Sequence, residues 1–333
     1  MTSPNPASTT EPLSFCELHV HIEGTLEPGM VFDLARGNGL VPPADSTEAL
    51  AARYEFDDLS SFLKIYYENM TVLRSEEDFA LLAGAYLRRA RRAGVAHVEM
   101  FVDPQAHAAR GVSEKTVLRG LHRAIEGARE TLGISAGIIA CVVRDQPIDT
   151  AERMLDTVLA TDVPVLGLGL DSAEVGFPPK LFQRVFLRAA DAGLRRVAHA
   201  GEEGPASYVW EAIDDLGVER IDHGIRAWED PRLIDRLVAD RIPLTVCPLS
   251  NVRLKAVKSL QQLPLRAMLH RGLVVTVNSD DPAYFGGYLD DNIAAVRTAF
   301  DLDADEIRTL MRNSIAASFL TDDEKLRLLT QPA

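Results

Sequence analysis

The residues with the clearest chemical potential in this chain are two histidines near its start, in the string His19-Val20-His21. In a β-strand, residues i and i+2 lie on the same face, so both imidazoles can point at one ion. Zinc is a divalent metal that imidazole nitrogens commonly bind. Taken alone, the pattern also fits a chance pair or two hydrogen-bonded histidines. The metal-site interpretation is favoured if further polar residues follow other predicted strands of the chain.

Further candidate residues lie at or just after the ends of later apolar runs: His199, Glu202, His223, Asp280 and Asp281. Each taken alone also has a structural explanation. A lone histidine can be a hydrogen-bonded core residue, and an acid after a strand can cap the next helix or form a turn. His107, which follows the second apolar run, is a candidate contact at the rim of a site.

The apolar runs predict eight β-strands that alternate with helical segments, and no linker interrupts them. The predicted strands cover residues 15–21, 96–102, 135–143, 165–170, 196–199, 220–223, 244–247 and 274–278. This alternation predicts an α/β fold, a single (β/α)8 TIM barrel. Active residues of such barrels gather at the carboxyl ends of the strands. We therefore expect the candidate residues to converge on one mouth of the barrel.

Two further segments define the expected organisation. Residues 26–92 predict an extended helical insertion after the first strand, whose aromatic part, 62–70, fits either core packing or a lid over the site. Residues 1–12 are rich in Pro, Ser and Thr and predict a flexible tail rather than a signal peptide. Residues 13–333 would then form one catalytic domain.

The amino-acid composition indicates which binding partners and which cellular compartment to expect. A net charge of −14 disfavours binding to a nucleic acid polymer. No stretch approaches the roughly 20 apolar residues that a membrane span needs, so no membrane partner is expected. Three widely spaced cysteines, Cys16, Cys141 and Cys247, are typical of buried thiols in a reducing compartment. The sequence predicts a cytoplasmic protein and leaves a homo-oligomer open.

Three imidazoles and one carboxylate can hold a divalent ion and leave a position for water, and zinc or iron would fit. Such an ion lowers the pKa of water from 15.7 to about 7 and so supplies hydroxide at neutral pH. His223 is suited to take or hold the water proton, and Glu202 to donate a proton to a substrate. Asp281 could orient the hydroxide or the substrate.

The chain closely resembles the adenosine and adenine deaminases of the amidohydrolase superfamily over residues 15–319. The strings that carry the resemblance are CELHVHIEGT at 16–25, HAGEE at 199–203, DHG at 222–224, CPLSN at 247–251 and NSDDP at 278–282. The chain looks most like the adenine deaminase branch, because Glu23 stands where adenosine deaminases usually have Asp. The strings FVDPQAH at 101–107 and DSAEVG at 171–176 also indicate that branch.

The resemblance implies one Zn²⁺ per chain, with Fe²⁺ as an alternative, and a small purine base as the partner. The implied metal ligands are His19, His21, His199 and Asp280. Glu202 would protonate the purine ring, His223 would assist the hydroxide and Asp281 would bind the base. Further substrate contacts would come from Glu174, Gly24 and Glu23. The implied reaction is hydrolysis of adenine to hypoxanthine and ammonia, in purine salvage.

Other functions stay open at this stage. Substituted adenines such as 8-oxoadenine or N6-alkyladenines (cytokinins) and adenosine need the same hydroxide and acid, and a catalytically silent purine-binding protein would keep the fold. A two-metal barrel hydrolase is disfavoured, because the predicted fourth strand ends in Leu170-Asp171-Ser172 without a lysine to be carboxylated. A site like that of cytidine deaminases is disfavoured because no H-x-E motif is accompanied by a P-C-x-x-C motif.

Overall fold

The structure is a computed structural model that describes residues 14–330. Its framework is a barrel of eight parallel strands in sequential order. The strands are β1 (Phe15–His21), β2 (Val95–Val102), β3 (Ser135–Val143), β4 (Gly167–Asp171), β5 (Arg195–Ala200), β6 (Arg220–His223), β7 (Leu244–Val246) and β8 (Val275–Val277). Backbone hydrogen bonds of Asp280 with His19 and His21 join the segment after β8 to β1. The predicted TIM barrel is confirmed.

Helices follow the strands around the barrel. Within residues 14–330 they are α1 (Pro28–Gly37), α2 (Thr47–Ala51), α3 (Leu59–Asn69), α4 (Glu76–Arg92), α5 (Pro104–Ala108), α6 (Glu114–Leu132), α7 (Ile148–Leu159), α8 (Gln183–Asp191), α9 (Ala206–Asp214), α10 (Pro231–Asp240), α11 (Pro248–Arg253), α12 (Leu265–His270), α13 (Pro282–Phe285), α14 (Leu289–Phe300), α15 (Ala304–Ala317) and α16 (Asp322–Thr330). The insertion predicted after β1 comprises α1 to α4. The tail expected at residues 1–12 lies outside the described residues.

Short 3₁₀ helices connect several of these elements. They are Glu23–Thr25, Met70–Val72, Pro179–Phe182, Ile225–Glu229 and Leu260–Gln262. None of the helices described is both long enough and apolar enough to cross a membrane. The cysteines are buried free thiols, as the sequence indicated: Cys16, Cys141 and Cys247.

Capping residues fix where the insertion helices begin. Asp58 and Ser61 form a capping box at the start of α3, and Ser75 and Asp78 form one at the start of α4. In each box, two backbone N–H groups that a helix start leaves unpaired receive side-chain acceptors. α3 is thereby held with Phe62 and Tyr66 buried, so that it covers part of the barrel mouth.

A buried ion pair occupies the amino-terminal half of the barrel. Arg220 begins β6, and its Nη1 donates to Glu99 Oε2 at 2.5 Å. The guanidinium also lies 4.6 Å from the ring centre of Phe319. Although burial opposes ionisation, the Arg220 charge and the neighbouring His97 lower the pKa of Glu99 to about 2. Glu99 is therefore a fully paired carboxylate inside the barrel.

Candidate active site

Four candidate metal ligands meet at the carboxyl end of the barrel. His19 and His21 lie at the end of β1, His199 near the end of β5, and Asp280 after β8. His21 Nε2 is 3.1 Å from His199 Nε2, and His19 Nε2 is 3.2 Å from Asp280 Oδ1. One ligand atom of each residue lies within 4.8 Å of all the others. All four atoms can therefore contact a single ion.

Hydrogen bonds to Nδ1, the ring nitrogen directed away from the cluster, orient two of these imidazoles. His199 Nδ1 is 3.0 Å from the carbonyl oxygen of Leu170, to which a ring nitrogen can only donate. His19 Nδ1 is 2.9 Å from Thr245 Oγ1, whose hydroxyl donates to Asp222 Oδ1. A proton on Nδ1 leaves the lone pair of Nε2 directed at the cluster. Histidines that bind metals are commonly fixed in this way.

The protonation states of the cluster fit a bound cation. Burial lowers the pKa of His21 to about 4, and burial with the nearby His19 holds the pKa of His199 well below its ordinary value. Burial opposes ionisation of Asp280, yet His19 and His223 hold the pKa of Asp280 well below its usual range. Within residues 14–330, the buried His19 Nε2 has no hydrogen-bond partner. Neutral imidazoles and one carboxylate suit Zn²⁺.

A second set of donors overlaps the first. His19, His223, Cys247 and Asp280 also offer atoms within 4.8 Å of one another. Burial, however, raises the pKa of the Cys247 thiol well above its ordinary value. A thiol binds metal as the thiolate, so Cys247 would first have to lose its proton, which the other set of ligands does not require. The first set is therefore the better candidate metal centre.

Glu202 and His223 face the cluster from neighbouring strands. Glu202 follows β5, and its Oε2 is 3.6 Å from Nε2 of His223, which ends β6. Burial and then the Asp280 charge raise the pKa of Glu202 well above its usual range, which favours its protonated form. Burial lowers the pKa of His223 to about 3. Asn251 Nδ2 donates to His223 Nδ1 at 3.2 Å and fixes the ring.

Asp281 lies beside the cluster, in close contact with Gly24. A β-carbon at Gly24 would stand 2.0 Å from Asp281 Oδ1, so only glycine leaves room for this carboxyl group. Burial and the adjacent Asp280 raise the pKa of Asp281 well above its usual range. Asp281 Oδ1 is buried and finds no hydrogen-bond partner in the described part of the chain. It is free to contact a substrate.

These residues line a narrow cavity with about 30 Å³ of accessible space. Helix α3 covers the cavity with apolar and aromatic side chains: Leu59, Phe62, Leu63, Tyr66 and Tyr67. Phe62 and Tyr66 are also buried in the core. The aromatic segment 62–70 therefore combines the two roles that the sequence left open, core packing and a cover.

The comparisons with known proteins identify the family of this chain. A family model described as adenosine deaminase matches residues 14–331. The chain belongs to the adenosine deaminase family. An adenine deaminase from Streptomyces coelicolor in this family is 57% identical over 97% of the chain and 95% of its own length. Another from Acinetobacter baylyi is 48% identical over 96% of the chain and 97% of its own length.

Solved structures of related proteins give the same family and fold. An adenine deaminase from Arthrobacter aurescens superposes with a TM-score of 0.94 at 53% identity, covering 96% of this chain and 97% of its own. An amidohydrolase from Burkholderia ambifaria with bound Zn has a TM-score of 0.87 at 27% identity, covering 94% and 88%. The resemblance to the adenine deaminase branch is thereby confirmed.

Glu23 is placed differently from the sequence-based expectation of a substrate contact. Glu23 Oε1 accepts from the backbone nitrogen of Asp103 at 3.1 Å, and it lies 2.8 Å from His107 Nε2. Both side chains are buried, and neither is among those that line the cavity. Glu23 therefore ties β1 to the segment after β2, and His107 is its partner rather than a rim contact. Gly24 likewise lies against Asp281 rather than on the cavity wall.

Glu174 also lies outside the cavity lining, contrary to the predicted substrate contact. Its carboxylate accepts from the backbone nitrogens of four consecutive residues, at 2.5 to 3.0 Å: Gly201, Glu202, Glu203 and Gly204. Both oxygens are therefore occupied by the loop that carries Glu202. An acid in this position holds the loop in one conformation, and its effect on a substrate passes through Glu202.

Asp103 and Asp171 line the cavity, although the sequence did not single them out as site residues. Asp171 ends β4 and Asp103 directly follows β2, which is the same strand-end position that identified the other candidates. Burial raises the pKa of Asp171 to about 7 and that of Asp103 well above its usual range. Asp103 precedes Pro104 and could equally cap α5, but its side chain makes no capping hydrogen bond.

Proposed function

We propose that this family member catalyses the hydrolytic deamination of adenine to hypoxanthine and ammonia. One observation carries the proposal: the buried Glu202, whose pKa is raised, lines the same cavity as His21, His199 and Asp280 of the candidate metal cluster. The adenine deaminases of Streptomyces coelicolor and Acinetobacter baylyi, which align over nearly the whole chain, support this substrate.

Four residues would hold the metal: His19, His21, His199 and Asp280. We propose Zn²⁺ at one ion per chain, with Fe²⁺ as the alternative, because imidazole and carboxylate donors suit both. When bound, such an ion lowers the pKa of water from 15.7 to about 7 and so supplies the nucleophile at neutral pH. The hydrogen bonds of Thr245 and Leu170 keep the ring nitrogens oriented for this role.

Glu202 would donate its proton to the ring nitrogen beside the carbon that bears the amine. That carbon becomes electrophilic only when the neighbouring nitrogen is protonated as attack occurs, so the acid must be protonated before the reaction. Burial of Glu202 raises its pKa and so favours that state. His223, held by Asn251, would orient the attacking water and hold its proton, and Asp281 would bind the base through its unpartnered oxygen.

Steady-state kinetics of the zinc-loaded protein test the proposal most simply. The substrates are adenine, adenosine, 8-oxoadenine and N6-isopentenyladenine, with ammonia release as the readout. We expect the highest kcat/KM with adenine. If adenosine or a substituted adenine gave a higher kcat/KM, that compound and not adenine would be the preferred substrate. If none of the four released ammonia, the protein would be a catalytically silent purine-binding protein.

The cellular setting follows from the same features. We propose that the protein acts in the cytoplasm, because its three cysteines are buried free thiols, which are typical of a reducing compartment. Its partner would be a small purine base and not a nucleic acid polymer, in keeping with the net charge of −14. A homo-oligomer stays open, and sedimentation of the purified protein would determine the number of subunits.

A further inference from the structure

Two acids with unsatisfied oxygens form part of the cavity wall away from the candidate metal centre. Asp103 is 3% exposed and Asp171 is 2% exposed, and both line the cavity. Within residues 14–330, Asp103 Oδ1 and both oxygens of Asp171 have no hydrogen-bond partner. Burying a polar group without a partner is costly. Acceptors left in this state inside a cavity are positioned for a donor on a ligand.

His21 separates this pair from the reacting centre. Its Nε2 faces His199 in the candidate metal cluster, whereas its Nδ1 is 3.6 Å from Asp171 Oδ2. One oxygen of Asp103 and one of Asp171 lie within 4.8 Å of each other and of a His21 ring nitrogen. The two carboxyl groups therefore lie side by side, on the face of His21 turned away from the cluster. They would meet the part of a bound substrate that lies farthest from the amine.

Helix α3 contacts the cavity wall beside this pair. Tyr67 from α3 places its hydroxyl 3.2 Å from Ser172 Oγ, in the residue directly after Asp171. Ser172 in turn donates to Asp145 Oδ1 at 3.2 Å. This contact joins the helix that covers the cavity to the end of β4, so a substituent that extends past Asp171 meets the cover. We expect a flat purine base to reach Asp103 and Asp171 and to extend no further.

A purine base has a hydrogen-bond donor that is complementary to the two carboxyl groups in this wall. When the carbon that bears the amine lies at the metal centre, the five-membered ring points away from it. In the free base that ring carries an N–H group, and in a nucleoside the same nitrogen carries the sugar. We propose that Asp103 and Asp171 accept the ring N–H of the free base and thereby select bases over N9-substituted purines. The inference rests on the proposed function and names two residues that determine its specificity.

The expected discrimination is large. A site built to hydrogen-bond a substrate N–H rejects an analogue that lacks it by up to 10⁴–10⁵-fold, because its buried polar groups are then left unpaired. 9-Methyladenine keeps the amine and the six-membered ring but has no ring N–H. We expect the protein to use adenine with a kcat/KM at least about 10²-fold higher than 9-methyladenine.

The test compares the two substrates on the same variants. Asp103→Leu and Asp171→Leu remove the acceptors while keeping similar bulk, and we expect each to lower the adenine to 9-methyladenine ratio of kcat/KM by at least about 10-fold, the cost of leaving one buried N–H without an acceptor. Because the ratio is taken on one preparation, incomplete metal loading or folding cancels. The matched control is Asp149→Asn, an exposed acid in the first turn of α7 that does not line the cavity, and we expect it to keep the wild-type ratio.

The conservative Asn variants test whether a hydrogen-bond acceptor at these positions is what selects the free base. Asp103→Asn and Asp171→Asn keep a carbonyl oxygen, so we expect them to retain more of the preference than the Leu variants. They also serve if a Leu variant fails to fold. Equal use of the two substrates by the wild-type protein would overturn the inference, as would an unchanged ratio in the variants of both positions. Absence of ammonia release from adenine in the wild type would instead contradict the proposed function itself.

Discussion

Buried acids occur at two levels of the barrel, and their surroundings differ. In the amino-terminal half, Glu99 has partners on both oxygens, and the charge of Arg220 lowers its pKa to about 2. At the mouth, burial raises the pKa of Glu202 and of Asp281 well above the usual range, and one oxygen of each has no partner in residues 14–330. The charge of a fully paired buried acid is compensated within the fold, whereas an unpaired acid is available to a substrate.

The largest expected effect is at the metal centre. His19→Ala removes one of the four candidate ligands, so we expect bound metal to fall and turnover to drop at least about 10⁴-fold, because water without the ion keeps its pKa near 15.7. Metal analysis and ammonia release measure both quantities. His122→Ala, a histidine in α6 away from the cavity, is the matched control and should keep both. Unchanged metal content in His19→Ala would remove His19 from the ligand set.

The next effect separates acid chemistry from metal binding. Glu202→Gln keeps the size of the side chain but removes the transferable proton, so we expect metal content to stay unchanged while kcat falls at least about 10²-fold. Glu203→Gln is the matched control, because Glu203 is its half-buried neighbour and does not line the cavity. Near-normal turnover of Glu202→Gln would show that another group donates the proton.

The third prediction concerns the paired acid at the other level. Glu99→Gln removes the carboxylate nearest to the buried Arg220 and leaves only the more distant Asp222, 3.8 Å from Nε, so we expect a cost of up to about 3–5 kcal/mol of unfolding free energy. Urea denaturation measures that cost, and we expect kcat of the folded enzyme to stay near the wild-type value. The double variant Glu99→Leu with Arg220→Met should recover much of the stability. If Glu99→Gln lost activity and kept its stability, Glu99 would be a functional acid like those at the barrel mouth, and the contrast would be wrong.

The smallest expected effect is the pH dependence of the same pair. The pKa of Glu99 is about 2 in the folded protein, below its ordinary 4.5, so the ionised group stabilises the fold above about pH 4.5. This stabilisation is lost as the pH falls towards 2. The difference in unfolding free energy between wild type and Glu99→Gln should therefore narrow by about 2 kcal/mol between pH 5 and pH 3. A difference that stays constant over this range would indicate that Glu99 is not ionised.

Much of the fold could be predicted because the barrel strands are short apolar runs. The predicted bounds of the first strand, 15–21, are those of β1, and 165–170 differs from β4 (Gly167–Asp171) by two residues at its start. Helices cover the outer face of parallel strands, so these strands are buried on both sides and read as continuous apolar segments. The strand-end rule likewise indicated the residues that gather at the mouth.

The partners of individual acids could not be predicted. Glu174 lies in the segment that indicates the adenine deaminase branch, yet its oxygens are taken by the backbone of residues 201–204, and a sequence does not show which amides a carboxylate will meet. Asp103 and Asp171 look like ordinary strand-end or capping acids. Only the folded chain shows that their oxygens face a cavity without partners.

X-ray absorption spectroscopy of the zinc-loaded protein tests most directly whether His19, His21, His199 and Asp280 hold the metal. We expect one zinc ion per chain, with nitrogen and oxygen neighbours alone at about 2.0–2.2 Å. A sulfur neighbour at about 2.3 Å would contradict this, because it would place the ion in the overlapping set that contains Cys247.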